Sequence, residues 1–151
     1  MDTTQILQGV EIFKGLPLKE LEAVAELCEL QKFKAGDVVF TEKSRGKEIY
    51  IIVQGQVAIE LNIRGAKDSA TVHRMGKGEL FGELSLVSKG RSATARCDSN
   101  CETIVIKNKA LLDLFKDNKS LGCKVMTNLA TMLAAKLRKT NLQLIACFAW
   151  E

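Results

Sequence analysis

Between Phe81 and Thr94 the chain sets a carboxylate, Glu83, and a cation, Arg91, among small residues: Gly82 before the first, Ser92-Ala93-Thr94 after the second. Ionised glutamate only accepts hydrogen bonds and repels a phosphate, so Glu83 suits a sugar hydroxyl. Arginine carries a fixed charge and a fork of donors that matches phosphate oxygens, so Arg91 suits a phosphate. Gly82 lacks a Cβ and lets the backbone approach a ligand closely. A short helix over residues 83–87 would aim free N–H groups and a favourable dipole at the same anion. The chemistry is binding. No histidine or cysteine stands in a nucleophile–base arrangement, and Glu83 with Arg91 is not an acid/base pair, so no enzyme activity is expected.

Phe81-Gly-Glu-Leu-Ser-Leu86 followed by Arg91-Ser-Ala-Thr94 closely resembles the phosphate-binding cassette of cyclic-nucleotide-binding domains of the catabolite activator family. The resemblance implies that Glu83 takes the ribose 2′-hydroxyl. It implies that Arg91 takes the cyclic phosphate, helped by Ser92 and by backbone N–H groups of Gly82, Glu83 and Leu84. Phe81, Ser85 and Ala93 complete the cassette. Glu83 and Arg91 are eight positions apart, about one residue shorter than in many members, a difference that falls in the loop Val87–Gly90. A threonine just after the arginine tends in this family to accompany cGMP. Ser92 stands there, which leans toward cAMP with cGMP left open. No cofactor beyond that ligand is implied.

The rest of the chain must position this cassette. Its 151 residues, 46% hydrophobic and 26% charged, fit one globular domain over 1–151 with a full core. No apolar run approaches a membrane span, and the N-terminus lacks signal-peptide character, so a cytoplasmic location is the default. The net charge of +4 is a weak bias and does not argue for DNA binding. The five cysteines show no paired CxxC spacing, and a reduced, mostly buried set is expected. Cys97 and Cys101 flank a turn and could face each other. His73 is the only histidine and reads as a strand residue, since one histidine cannot build a multi-histidine metal centre.

Leu18, Leu21, Val24, Ala25 and Cys28 recur at helical spacing after Pro17, with another short helix before it. From Gln31 to Ile106 short β-rich runs alternate with turns: 38–40, 49–53, 57–61, 70–75 and 103–106. These predict an antiparallel β-roll over about 31–107. The segment Thr41–Ser44 departs from the resembled family and reads as a loop of little consequence for the pocket. Val72, on the strand before the cassette, is the candidate apolar wall for a base, though an inward core position fits it equally. The fold class expected is α+β, mainly β: a jelly-roll of about eight strands with N-terminal helices and C-terminal helices over about 109–147.

Lys109–Phe115 reads as a short helix, and Ser120 as the cap of a long one ending near Ala146. Val125, Leu129 and Met132 would face the roll. Met126, Ala130, Leu133, Leu137, Thr140, Leu144 and Cys147 step by 4 and 3, a heptad seam. One chain has only one roll to cover, so the second stripe predicts a homodimer through the 120–147 helix. By resemblance to the dimerisation helix of catabolite-activator regulators, Thr140 and Asn141 reach the base across the seam. In those regulators a helix-turn-helix follows; the residues after Leu144 are too few for one, so no direct DNA binding is expected and an effector protein must carry the output. Two further readings stay open: a dimerisation module with a vestigial pocket, and a redox or gas sensor working through Cys28 or the Cys97/Cys101 pair.

Overall fold

The structure is a computed structural model and describes residues 2–150. The chain opens with α1 (Thr3–Gln8), whose cap Asp2 accepts a hydrogen bond from the Thr4 N–H at 3.1 Å. A single 3-10 turn, Glu11–Phe13, leads to α2 (Leu18–Ala25), where Pro17 takes the N-cap position with φ −65°. Eight strands follow: β1 (Cys28–Phe33), β2 (Val38–Phe40), β3 (Glu48–Gln54), β4 (Val57–Asn62), β5 (Ser69–Met75), β6 (Leu80–Phe81), β7 (Thr94–Cys97) and β8 (Cys101–Lys107). They form two antiparallel four-stranded sheets, ordered β1-β8-β3-β6 and β2-β7-β4-β5. The expected jelly-roll is present.

The central strands show why the sequence takes this form. β3 is buried from Ile49 to Ile52 although it has no amphipathic alternation. Successive strand side chains point to opposite faces, and here both faces are covered. Ile49 and Ile51 join Ile104 and Ile106 in a core shared with the helices. Tyr50 and Ile52 join Val105, Phe81, Ala95 and Cys97 in the core between the sheets.

The roll begins at Cys28, three residues before the expected boundary, and Cys28 opens β1 instead of continuing α2. β1 is an edge strand, bonded only to β8 and largely exposed. Its mixed polar sequence therefore carries no burial signature. The five strands read from the sequence are all found; β6 and β7 lie within the cassette region.

α3 (Asn108–Asp117) and α4 (Lys119–Phe148) close the chain. The cap of α4 is Asn118, whose side chain accepts from the Leu121 N–H at 3.1 Å; Ser120 sits inside the first turn. Leu121, Val125, Leu129 and Met132 are buried on the helical core, as expected for the roll-facing stripe. Met126 and Leu133, assigned to the seam, are half-buried and pack against that same core. From Ala134 onward every described residue of α4 is exposed. Leu137, Leu144 and Phe148 expose 62%, 54% and 65% of their surface. No helix of the described residues is long and apolar enough to cross a membrane.

Candidate functional site

The cassette hangs between the two cores. Phe81, at the end of β6, is anchored between the sheets, and Leu86 in the helical core. Between them the backbone turns at Gly82, with φ 79°. That left-handed conformation suits glycine. A short 3-10 helix, Glu83–Leu86, follows, within the segment 83–87 where a short helix would serve an anion. Its first N–H groups have no acceptor within the turn. Ser85 bolts the turn in place: its hydroxyl donates to the Gly82 carbonyl at 2.7 Å and accepts from Asn108 Nδ2 at 2.8 Å.

Arg91 returns under this turn, its side chain only 4% exposed. Nη1 donates to the Gly82 carbonyl at 3.0 Å and Nη2 to the Glu48 carbonyl at 2.9 Å. The Glu48 carboxylate lies 3.8 Å from Nη2, and the guanidinium stacks 4.0 Å from the Phe40 ring centroid. Burial pulls the arginine pKa below its usual value, and Tyr50, Glu48 and Glu83 pull it back. The group stays a cation. Of its five N–H bonds, one on each terminal nitrogen remains for a ligand.

The backbone of Arg91 is clamped by the end of the Thr41–Ser44 loop and the residues after it, so this loop is of consequence for the pocket. Lys43 N–H donates to the Arg91 carbonyl at 2.8 Å, and Arg91 N–H to the Ser44 carbonyl at 2.7 Å. Gly46 N–H donates to the Lys89 carbonyl at 3.1 Å, and Arg45 bridges Gly90. The segment 43–46 therefore adds a strand-like brace to the cassette arm.

Glu83 is nearly buried, with 7% of its side chain exposed, and it is ion-paired and hydrogen-bonded to Lys136 of α4. Sequence reasoning missed Lys136. It lies one helical turn before Thr140, a spacing that places the two on one face.

A cavity of ≈ 590 Å³ opens above these groups. Gly82, Glu83, Leu84, Ser85, Arg91, Ser92 and Ala93 form its polar end, with Phe81 behind them. Val72 lines an apolar wall with Ile59, Leu61 and Met75. α4 supplies the third wall through Leu133, Lys136, Leu137, Lys139, Thr140 and Gln143. Ten of the sequence-selected residues thus converge on one cavity. Asn141 does not line it: one residue on from Thr140, it is turned about 100° around the helix. The Thr140 hydroxyl donates to the Lys136 carbonyl at 2.9 Å. Gln143, unselected before, takes the far end of the wall.

Among the described residues no group of three or more His, Cys, Asp or Glu side chains is placed to hold a metal ion. Cys97 and Cys101 are both buried and are not joined by a disulfide. Burial, a Cys101 hydrogen bond and nearby acids push the Cys97 thiol up to about 12; burial alone does the same for Cys28.

The jelly-roll thus opens a cavity with a buried arginine and a buried glutamate at its polar end. The chain belongs to the cyclic nucleotide-binding domain family, whose model matches residues 30–118. That family's description is of a binding domain. The chain is 29% identical over 143 residues to the Cyclic AMP receptor protein of Thermus thermophilus, covering 91% of this chain and 62% of that protein. It is 28% identical over 95 residues to the human cGMP-dependent protein kinase 2, covering 62% of this chain and 12% of the kinase. The chain therefore spans about six tenths of the bacterial regulator it matches. Its fold is similar to a cyclic nucleotide-binding domain from Methylobacillus flagellatus, with TM-score 0.82 at 21% identity over 95% of this chain and 81% of that one. It is also similar to the Thermus thermophilus Catabolite Activator Protein, with TM-score 0.77 at 28% identity over 89% and 61%.

Proposed function

We propose that this chain is a non-catalytic cytoplasmic sensor domain that binds cAMP reversibly and transmits binding through α4 to a partner. The observation that carries the proposal is the single cavity in which Arg91, Glu83 and α4 meet. The remaining N–H bond on each terminal nitrogen of Arg91 matches an exocyclic oxygen of a cyclic phosphodiester. Glu83 keeps one carboxylate oxygen for a ribose hydroxyl, because Lys136 occupies the other. The purine then lies between Val72 and the α4 wall, with Thr140 in its own chain and Asn141 of a second chain facing the seam. Ser92 favours cAMP; the relatives include both a cAMP receptor and a cGMP-dependent kinase.

Signalling follows from contacts to two elements at once. A ligand shifts an equilibrium only by its differential affinity for the two states. A nucleotide held by the cassette and by α4 favours the arrangement in which the helix closes the cavity. The exposed apolar stripe of α4 then presents a defined face to a second copy of the chain.

A second reading, a dimerisation module with a vestigial pocket, is favoured by one observation: both charged groups already have internal partners, Glu83 in Lys136 and Arg91 in two carbonyls. Calorimetric titration with cAMP and then cGMP separates the two. Arg91→Ala should lower affinity at least ~100-fold, since two charge-assisted hydrogen bonds are lost at ~1.5–3 kcal/mol each. A folded Arg91→Ala protein that binds as tightly as the wild type would refute the assignment, and no heat from nucleotide-free wild type would establish the vestigial module.

A further inference from the structure

The slot that holds Arg91 has a wall that no sequence motif marks. Gly82 and Glu48 supply carbonyls, Phe40 supplies a ring face, and the fourth side is Gly46. A Cβ built on Gly46 would lie 2.7 Å from Arg91 Nε, 2.8 Å from Cζ and 2.7 Å from the Ser85 Cβ. Real Cβ atoms essentially never come within 3.0 Å of such neighbours. The Arg91 Nε is buried and has no hydrogen-bond partner, so this edge of the guanidinium occupies the space a Gly46 side chain would take and meets no acceptor.

We infer that Gly46 is a positioning residue for ligand recognition: its missing side chain lets the Arg91 guanidinium lie where both terminal nitrogens reach carbonyls and still offer one N–H each to a phosphate. The inference rests on the cyclic-nucleotide reading of the cavity. The backbone of Gly46 is not in the left-handed region, so alanine meets no conformational penalty there, and its N–H bond to Lys89 is kept. Only the collision remains. Of the two groups struck, the Ser85 Cβ is fixed to the 3-10 turn, and the Ser85 hydroxyl is bonded to Gly82 and Asn108. The side chain of Arg91 is the one that can withdraw. It withdraws away from Gly46 and out of hydrogen-bond range of its carbonyls. At Gly82 the same question cannot be posed cleanly, because an added side chain there meets both a positive φ and Arg91 Nη1 at 2.7 Å.

The test is a cycle of four proteins titrated calorimetrically with cAMP and cGMP: wild type, Gly46→Ala, Arg91→Lys and the double variant. Lysine has neither Nε nor Cζ and leaves the space beside Gly46 empty. Gly46→Ala should weaken binding at least ~10-fold beside Arg91 and less than ~2-fold in the Arg91→Lys background. Gly76→Ala, whose new Cβ meets nothing within 4 Å, should bind as the wild type does. Equal affinity of wild type and Gly46→Ala overturns the inference alone. An equal loss in both backgrounds overturns it too, since the methyl would then act on the fold and not through Arg91. Wild type that binds neither nucleotide overturns the functional reading and this inference with it. Should Gly46→Ala not fold, Gly46→Ala with Ser85→Gly removes the rigid obstacle, and its affinity compared with Ser85→Gly alone decides the same point.

Discussion

Glu83 and Arg91 are both almost fully buried charges, and a buried charge is tolerated only where it is paired and hydrogen-bonded. Their identities were legible in the sequence because glycine, acid, arginine and small residues stand within one short stretch. Their partners were not. Lys136 is 53 positions from Glu83, and Gly46 touches Arg91 only because a loop folds back on the cassette arm. Neither is announced by a local pattern. The cysteines give a prediction at this scale. Thiolate is the reactive form, and burial raises the Cys28 and Cys97 thiols to about 12, so at pH 8 both are protonated. Cys123 and Cys147 are exposed. Alkylation of the native protein at pH 8, followed by mass mapping, should label Cys123 and spare Cys28 and Cys97. Rapid labelling of either buried thiol would revive a redox role.

Among the elements, α4 is two helices in energetic terms. Its first half is sealed to the roll by Leu121, Val125, Leu129 and Met132; its second half touches solvent on every side. Leu129→Ala should therefore destabilise the fold by about 2–5 kcal/mol, read from urea unfolding. Leu142→Ala, at a position 69% exposed, should shift it by less than about 0.5 kcal/mol. Comparable losses at the two positions would mean that the distal half packs on its own roll. The heptad stepping made this helix and its roll-facing stripe legible. The half-burial of Met126 and Leu133 was not, because a stripe that begins on the roll and ends in solvent has one periodicity throughout. β1 escaped notice for the converse reason: its pairing is made by the backbone, and an exposed edge strand leaves no pattern in its side chains.

For the molecule as a whole, the two sheets and the helical core bury the central apolar residues of the roll, while Leu137, Leu142, Leu144, Ile145 and Phe148 of distal α4 are all exposed. Leu137, Leu144 and Phe148 lie along one line of the helix, and a second copy of the same helix is the simplest occupant. Leu137→Asp should give monomers by light scattering under conditions where the wild type is a dimer. An unchanged mass would place the contact elsewhere.

The cavity draws one wall from this uncovered stretch. Thr140 and Gln143 sit on about four turns of helix whose described residues are all exposed and which the Lys136–Glu83 pair ties to the cassette, and isolated helices of that length are marginal in water. The wall is thus only as firm as whatever leans on the other side of it. If a second chain does so, order in the helix, and with it the hold on the ligand, rises with the number of chains available to pair. An affinity measured on dilute protein and one measured on concentrated protein are then different quantities, and the abundance of the chain becomes a dial on its own sensitivity.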